Sequence, residues 1–361
     1  MQNYRVIISL LLFVAYSCSD KNEENTDLQS NINQEKKTVW KLDNKTIEGE
    51  TQGTTFIIKT SEDSLMVSPQ EIEVLLANFD SELSGYISTS LLSKLNDSDT
   101  SFVIEHDNYF SECYNISQQV YKKTNGAFDP SVFPLVKAWG FFKNMDQIPS
   151  EEEIDSILTF TGFEEGLHHT YEEGVFVKIH SSFELDFNAI AQGQSADVIA
   201  KLLTDKGHQN YFIEVGGEIT VKGVNNEKQP WIIGIDQPKD DNDGYGNRNL
   251  ENYLSISKGG IATSGNYRKF YERNGKKYSH TLNPKTGYPV EHNLLSTTVI
   301  AENAALADAY ATAFMTMGLD KTMRFLDENK DLEIEAYLLF ENDSGRIERA
   351  FTSGMKKYFL N

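Results

Sequence analysis

The chain has 361 residues, with 33 Lys and Arg against 54 Asp and Glu, a formal charge of −21 at pH 7. With 39% hydrophobic and 24% charged residues it has the balance of a globular protein with a sizeable core, not of a disordered or fibrous chain. So large an acidic excess argues against a broad nucleic-acid surface and repels phosphate-bearing ligands, so that any such ligand calls for a bound cation. The two cysteines, Cys18 and Cys113, cannot build a disulfide framework, and Cys113 is read as a buried thiol.

In chain order, an apolar run over 6–16 follows Arg5 and leads to the small Ser17 and then Cys18. The run is too short to span a bilayer as a mature helix, and it has the layout of a secretory signal over 1–17. Ala15-Tyr16-Ser17-Cys18 resembles a lipobox, where bacterial lipoproteins are cut and lipidated; a plain signal peptide cut nearby is the other reading. The resemblance implies an exported lipoprotein of a bacterial cell membrane, on its periplasmic side, held through Cys18 by more than one acyl chain. Residues 18–38 are polar almost throughout and read as a disordered tether. A single domain is expected over 39–361, because no linker-like stretch interrupts residues 50–361.

Within it, 54–59 (TTFIIK) is β-branched and aromatic, which predicts a strand. Ile72, Leu75, Leu76 and Phe79 repeat at helical spacing over 69–83, and 110–124 predicts a second helix closed by Asn125-Gly126. Residues 175–179 and 183–187 predict a strand pair, and 189–203 a helix. Strands are predicted over 211–215, 218–221 and 231–235, with glycine turns between them. A strand over 296–301 precedes an alanine-rich helix over 304–317, stopped by Gly318; a helix over 323–329 and a strand over 335–340 follow. The class is α+β.

Four segments could carry chemistry. Asp308 and Thr312, at i and i+4, share a helix face with Ala305, and their oxygens suit a hard cation such as Mg²⁺. An alanine-rich packing helix with a buried Asp is the bland alternative. In 185–197 (LDFNAIAQGQSAD), Asp186 precedes a small-residue turn that opens a helix, where backbone can approach a ligand closely. Tight packing with Asp186 as a cap explains the same residues. Thr263-Ser264-Gly265 reads as a turn able to hold phosphate oxygens, with Arg268 and Lys285 adding positive charge and His280 placed to accept a proton. Two polar turns with an exposed His is the alternative there. Finally, 124–130 (TNGAFDP) is a firm turn whose Phe128 either stacks on a flat ring or belongs to the core. No Walker A loop, H-E-x-x-H helix, G-x-S-x-G elbow or paired C-x-x-C occurs.

The order of these segments says more than any one of them. Gly53-Thr54-Thr55, Ser81-Glu82-Leu83-Ser84 to Asn96, the 125–130 turn, Leu185-Asp186 and Ala191-Gln192-Gly193 with Ala196-Asp197 occur in sequence. Gly216-Gly217-Glu218, Thr263-Ser264-Gly265, His280 with 283–287 (NPKTG), and Ala307-Asp308 with Ala311-Thr312 complete the series. Together they resemble the ApbE family over roughly residues 50–320. Its members are FAD:protein FMN transferases, many of them exported lipoproteins.

The resemblance implies a mixed α+β, two-lobed, T-fold-like body with FAD and metal in the cleft between lobes. It implies that FAD is the substrate and that FMN passes to a Thr or Ser hydroxyl of an acceptor flavoprotein, with release of AMP. Asp308 and Thr312 would ligate Mg²⁺, with backbone help from Ala189 and Ala305. Tyr86, Ala127, Phe128, Asp129, Asp186, Gln192 and Leu282 would hold FAD, and Thr263, Ser264 and Gly265 would line its phosphates. His280 would be the base for the acceptor hydroxyl, and His280 and Asp308 the catalytic pair. Two positions depart from the family pattern: Gln52 stands where Met is usual, and Gln192 where Lys is usual. The rival readings are a Mg²⁺-dependent FAD pyrophosphatase, a flavin-binding lipoprotein without chemistry, and a generic solute-binding lipoprotein.

Overall fold

The computed structural model describes residues 39–360 except 100, 105–107, 143–147, 239–249, 267–269 and 274–275. The leader, the tether with Cys18, and Arg268 lie outside the described residues.

The described chain opens with a meander of β1 (Val39–Lys41), β2 (Thr46–Thr51) and β3 (Thr54–Thr60). Gln52 and Gly53, at φ 51° and 70°, make the two-residue turn between β2 and β3, where both positions must be left-handed to match the strand twist. Next come α1 (Pro69–Leu83), α2 (Leu91–Asp97), β4 (Ser101–Val103), α3 (Tyr109–Lys123), α4 (Phe133–Ala138), α5 (Glu151–Leu158), β5 (His169–Glu172) and β6 (Val175–Lys178). Then follow α6 (Ala191–Asp205), β7 (Tyr211–Val215), β8 (Glu218–Lys222), β9 (Trp231–Asp236), β10 (Leu250–Ile256) and β11 (Lys258–Gly265). The chain continues through β12 (Phe270–Arg273), β13 (Lys276–Ser279), β14 (Leu294–Ala301), α7 (Ala304–Met317), α8 (Leu319–Glu328), β15 (Glu335–Glu341) and β16 (Ile347–Phe351).

Nine strands form one sheet in the order β1-β2-β3-β7-β8-β11-β14-β15-β16, antiparallel at every pairing. On one face α1 and α6 bury Ile72, Leu76, Ile199 and Leu203 with Ile47, Ile58 and Ile213. Further along that sheet, Ala262, Val299 and Leu338 pack with α7. The side chains that alternate with them, Ile261, Ile300 and Tyr337, pack with Trp231 and Ile233 of the β9–β10 ribbon. The second lobe consists of α2 to α5 and the three-stranded sheet β4-β6-β5. Its Phe110, Phe163, Phe176 and Phe187 share one core with α7, so the lobes meet through apolar contact. The architecture is the α+β class expected.

Two predicted elements need correction. Residues 183–187 form no strand, and β6 pairs with β4 and β5 instead. The reason is the source of their hydrogen bonds. Leu185 exchanges both its backbone bonds with the Asn96 carboxamide (2.8 Å each), and Asp186 N–H donates to Pro130 O at 2.7 Å. A side chain and a turn satisfy this backbone, so no ladder forms. The helix predicted over 323–329 begins earlier, at Leu319, directly after Gly318 turns the chain at φ 76°.

His169 is fully buried in the second lobe, its ring stacked on Phe163, Phe176 and Phe183 at 4.7–5.2 Å. Its Nε2 meets the Tyr114 hydroxyl at 2.8 Å, and Nδ1 has no hydrogen-bond partner among the described residues. Burial first, and then the neighbouring His168, pull its pKa down to about 3. Because the folded state refuses a proton that the unfolded chain accepts near pH 6.5, the stability it confers is whole above that pH and is lost as pH falls towards 3. In His169→Phe, the slope of unfolding free energy against pH should therefore drop by about 1.4 kcal/mol per pH unit between pH 6 and 4. Urea titrations of both proteins across that range measure the difference; equal slopes would show that His169 is not the group responsible.

Candidate active site

The site is built around the first turn of α7, which packs closer to its neighbours than ordinary side chains allow. A Cβ on Gly193 of α6 would fall 2.4 Å from Ala304 O and 2.9 Å from Ala305 N. One on Gly260 of β11 would fall 2.0 Å from Ala304 N. Glycine at both positions lets α7 sit in the angle between α6 and the sheet. The N–H groups of this turn are accounted for within the protein. Ala304 and Ala305 donate to the Asp197 carboxylate (3.0 and 2.9 Å), Leu306 to Asn303 Oδ1 (2.9 Å), and Ala307 to Asn303 O (3.1 Å). No donor is left there for an anion, in contrast to many phosphate sites at helix ends.

One turn further along α7, Asp308 is buried, and Gly193 N–H donates to its Oδ2 at 3.3 Å. On the same helix face the Thr312 hydroxyl meets the Ser264 hydroxyl of β11 at 3.4 Å. Burial, and secondarily the charge of Asp197, push the Asp308 carboxyl up to about 7, with the Gly193 N–H opposing. Burial likewise raises Asp197 and Asp186 to about 6. Among the described residues, no Lys or Arg belongs to the groups that shift any of the three. Ionised carboxylates in such a place need positive charge. Among the described residues no group of three or more His, Cys, Asp and Glu forms a metal cage. The donor set is instead one carboxylate, hydroxyls and main-chain carbonyls, all hard oxygen ligands, and it fits a hard divalent cation whose shell is completed by water or by ligand oxygens.

A second wall comes from the other lobe. Asn188 donates from its backbone to Asp186 Oδ1 (2.8 Å) and from its side chain to the Tyr86 hydroxyl (3.2 Å). Tyr86 is exposed and stacks on Phe142, with ring centroids 4.8 Å apart. The bond from Asp186 N–H to Pro130 O ties this wall to the 127–130 turn. The loop after β13 carries His280, which is exposed. Thr281 fastens that loop to the end of β11, its hydroxyl donating to Asn266 Oδ1 at 2.7 Å. Leu282 fastens it to the second lobe, buried with Leu135, Trp139 and Ile154, and Trp139 Nε1–H donates to Gly287 O at 2.7 Å. A cleft of about 560 Å³ lies between Tyr121, Asn125 and Asp129 on one side and Pro284 and Lys285 on the other.

The sequence model of the ApbE family matches residues 52–338, most of the chain. The chain belongs to the ApbE family. The FAD:protein FMN transferase of Haemophilus influenzae is 32% identical over 320 residues, covering 86% of this chain and 90% of that protein. The solved structure of the flavin transferase ApbE from Vibrio cholerae superposes with a TM-score of 0.75 at 31% identity, covering 87% of this chain and 98% of that one. The apo flavinyl transferase ApbE from Pseudomonas stutzeri gives 0.76 at 28% identity, over 87% and 96%.

In this ApbE chain the residues singled out from the sequence fall into three groups. Asp308, Thr312, Ser264 and Ala305 gather at the α6–α7–β11 junction, and Ala189 and Gln192 flank the start of α6. The Gln192 carboxamide lies over Gly216, where a Cβ would meet it at 2.9 Å. Tyr86, Asp186 and the 127–129 turn form the second wall. Other residues are spent elsewhere. Phe128 is buried in the core, packed among apolar side chains. The Asp129 carboxylate accepts from Ser131 N–H (2.8 Å) and Oγ–H (2.5 Å), which leaves its backbone as the part able to meet a ligand. Thr263-Ser264-Gly265 is strand, not turn. Successive strand residues face opposite ways, so Ser264 points to α7 while Thr263 meets the Thr298 hydroxyl at 2.8 Å on the ribbon side. Sequence reasoning gave no role to Asp197 and Asn188; Asp197 stands four residues after Gly193, and that i, i+4 spacing was the available signal.

Gly193→Ala should force α6 and α7 apart, at about 1–3 kcal/mol of stability by overpacking. It should also remove the Asp308 contact. Chemical denaturation reads the first effect and amide exchange of residue 193 the second; an unperturbed protein would mean that the helices do not depend on this approach.

Proposed function

We propose that this chain is an enzyme that moves FMN from FAD to a protein acceptor, with Mg²⁺ as its cation and a Thr or Ser hydroxyl as the acceptor group. The observation that carries the reading is the buried Asp308 carboxylate, on one helix face with the Thr312 hydroxyl that meets Ser264, with no Lys or Arg among the described residues that shift it. Such a carboxylate has no purpose in simple packing, and a pyrophosphate brought to so acidic a protein needs its charge offset. Family membership and the names of the relatives support the same activity.

In this reading Asp308, Thr312 and the carbonyls of Ala189 and Ala305 hold Mg²⁺, which when bound neutralises the pyrophosphate oxygens. Tyr86, the 127–129 backbone, Asp186, Gln192 and Leu282 hold FAD, and Ser264 with Gly265 borders its phosphates. His280, on its loop pinned at Asn266 and Gly287, takes the proton from the acceptor hydroxyl. That oxygen then bonds to the FMN phosphorus, the bond from this phosphorus to the bridging oxygen breaks, and AMP departs with the electron pair. Export and a lipid anchor on Cys18 would place the site beside membrane flavoproteins on the periplasmic side.

The test mixes the leader-free protein with FAD, Mg²⁺ and a Thr-bearing acceptor domain, and follows acceptor mass together with free FMN and AMP. Labelling should require Mg²⁺ and should fall by about 10²-fold or more in Asp308→Asn. Free FMN with no labelled acceptor would point to an FAD pyrophosphatase. Bound FAD with no AMP under any condition would sink both and leave a flavin carrier.

A further inference from the structure

We propose that Asp197 is a positioning residue for the cation site, fixing the height of α7 against α6 and so setting where Asp308 and the Ala305 carbonyl stand. The inference rests on the cation reading of Asp308 given above.

Asp197 joins three elements through one carboxylate. Oδ1 accepts from the Thr220 hydroxyl of β8 (2.7 Å) and from Ala304 N–H (3.0 Å), and Oδ2 accepts from Ala305 N–H (2.9 Å). Four residues earlier on the same face of α6, Gly193 meets α7 twice: by the close approach to Ala304, and by its N–H directed at Asp308. α6 therefore grips α7 at two heights, one holding its first amides and one holding its functional carboxylate. Because α7 is a rigid helix, the first grip sets the second.

An ordinary capping role does not require this arrangement. α7 already has its own N-cap in Asn303, which serves Leu306 with its side chain and Ala307 with its carbonyl. A local polar side chain or water could serve the two remaining amides. Instead, the carboxylate comes from another helix, and its charge acts on Asp308, where two like charges repel unless something positive lies between or beside them. A cation at Asp308 relieves that repulsion. Asp197 consequently acts on the site in two ways, through geometry and through its field, as outer-shell partners of metal ligands do.

The test compares three variants of the full chain, without FAD, by calorimetric titration with Mg²⁺ and by thermal melting in chelator. Asp197→Asn should weaken Mg²⁺ binding by about tenfold or more. Thr220→Val removes only the hydroxyl that steadies Oδ1; it is the milder variant should Asp197→Asn fold poorly, and it should weaken binding by a smaller but measurable factor. Asn303→Ala removes the helix's own cap and should lower the melting temperature while leaving Mg²⁺ affinity nearly unchanged. If Asp197→Asn and Thr220→Val both bind Mg²⁺ like the wild type, or if Asn303→Ala loses affinity in the same proportion to its lost stability, Asp197 is a cap and nothing more. A wild type that binds no Mg²⁺ overturns the cation reading and this inference with it, whereas normal binding by the variants overturns this inference alone.

Discussion

Everything distinctive about this molecule depends on how closely the first turn of α7 approaches α6 and β11. Gly193 and Gly260 supply the space and Asp197 supplies the bond. The alanines of α7 let the same helix pack against the sheet and α6 while it also contacts α3. Small residues bring backbones together, and backbones brought together can hold a carboxylate at a defined place. The packing rule and the functional rule are here one constraint, since any side chain that filled the gap would also displace Asp308.

The electrostatics follow from that geometry. Asp308 is buried and Asp186 and Asp197 are half-buried, and burial raises each of them. A fold does not gather desolvated carboxylates for stability, because replacing such groups by apolar ones is often neutral or better. They make sense as half of an interaction whose other half arrives with the ligand. In the function proposed above, the protein's acidity, which looks hostile to a dinucleotide, would draw the cation that offsets the ligand's phosphates.

Side-chain-to-backbone bonds hold chain segments with no regular structure, within the second lobe and between it and the His280 loop. Asn96 stands in for a strand neighbour of Leu185, and Trp139 holds the Gly287 carbonyl. Loops held in this way have fixed positions without a ladder. Their rigidity comes from single buried partners far away in sequence.

Much of the fold was legible in the sequence: 69–83, 211–215 and 304–317 coincide with α1, β7 and α7, because period and boundary signals agree there. The residue types at the site were legible too, since Asp308 and Thr312 share a face on any helix. What the sequence could not decide was which partners would meet that face. Strand status failed at 183–187 because its hydrogen bonds go to a carboxamide and a turn, and Thr263-Ser264-Gly265 passed for a turn because glycine and hydroxyl residues favour both settings. Phe128 and Asp129 looked available and are consumed by the core and by Ser131. The sequence by itself determined periodicity, capping and charge, which are local properties of neighbouring residues. Only the tertiary structure decided that Gly193, Asp197, Gly260, Ser264 and Asp308 converge, because their meeting depends on contacts between elements that lie far apart along the chain.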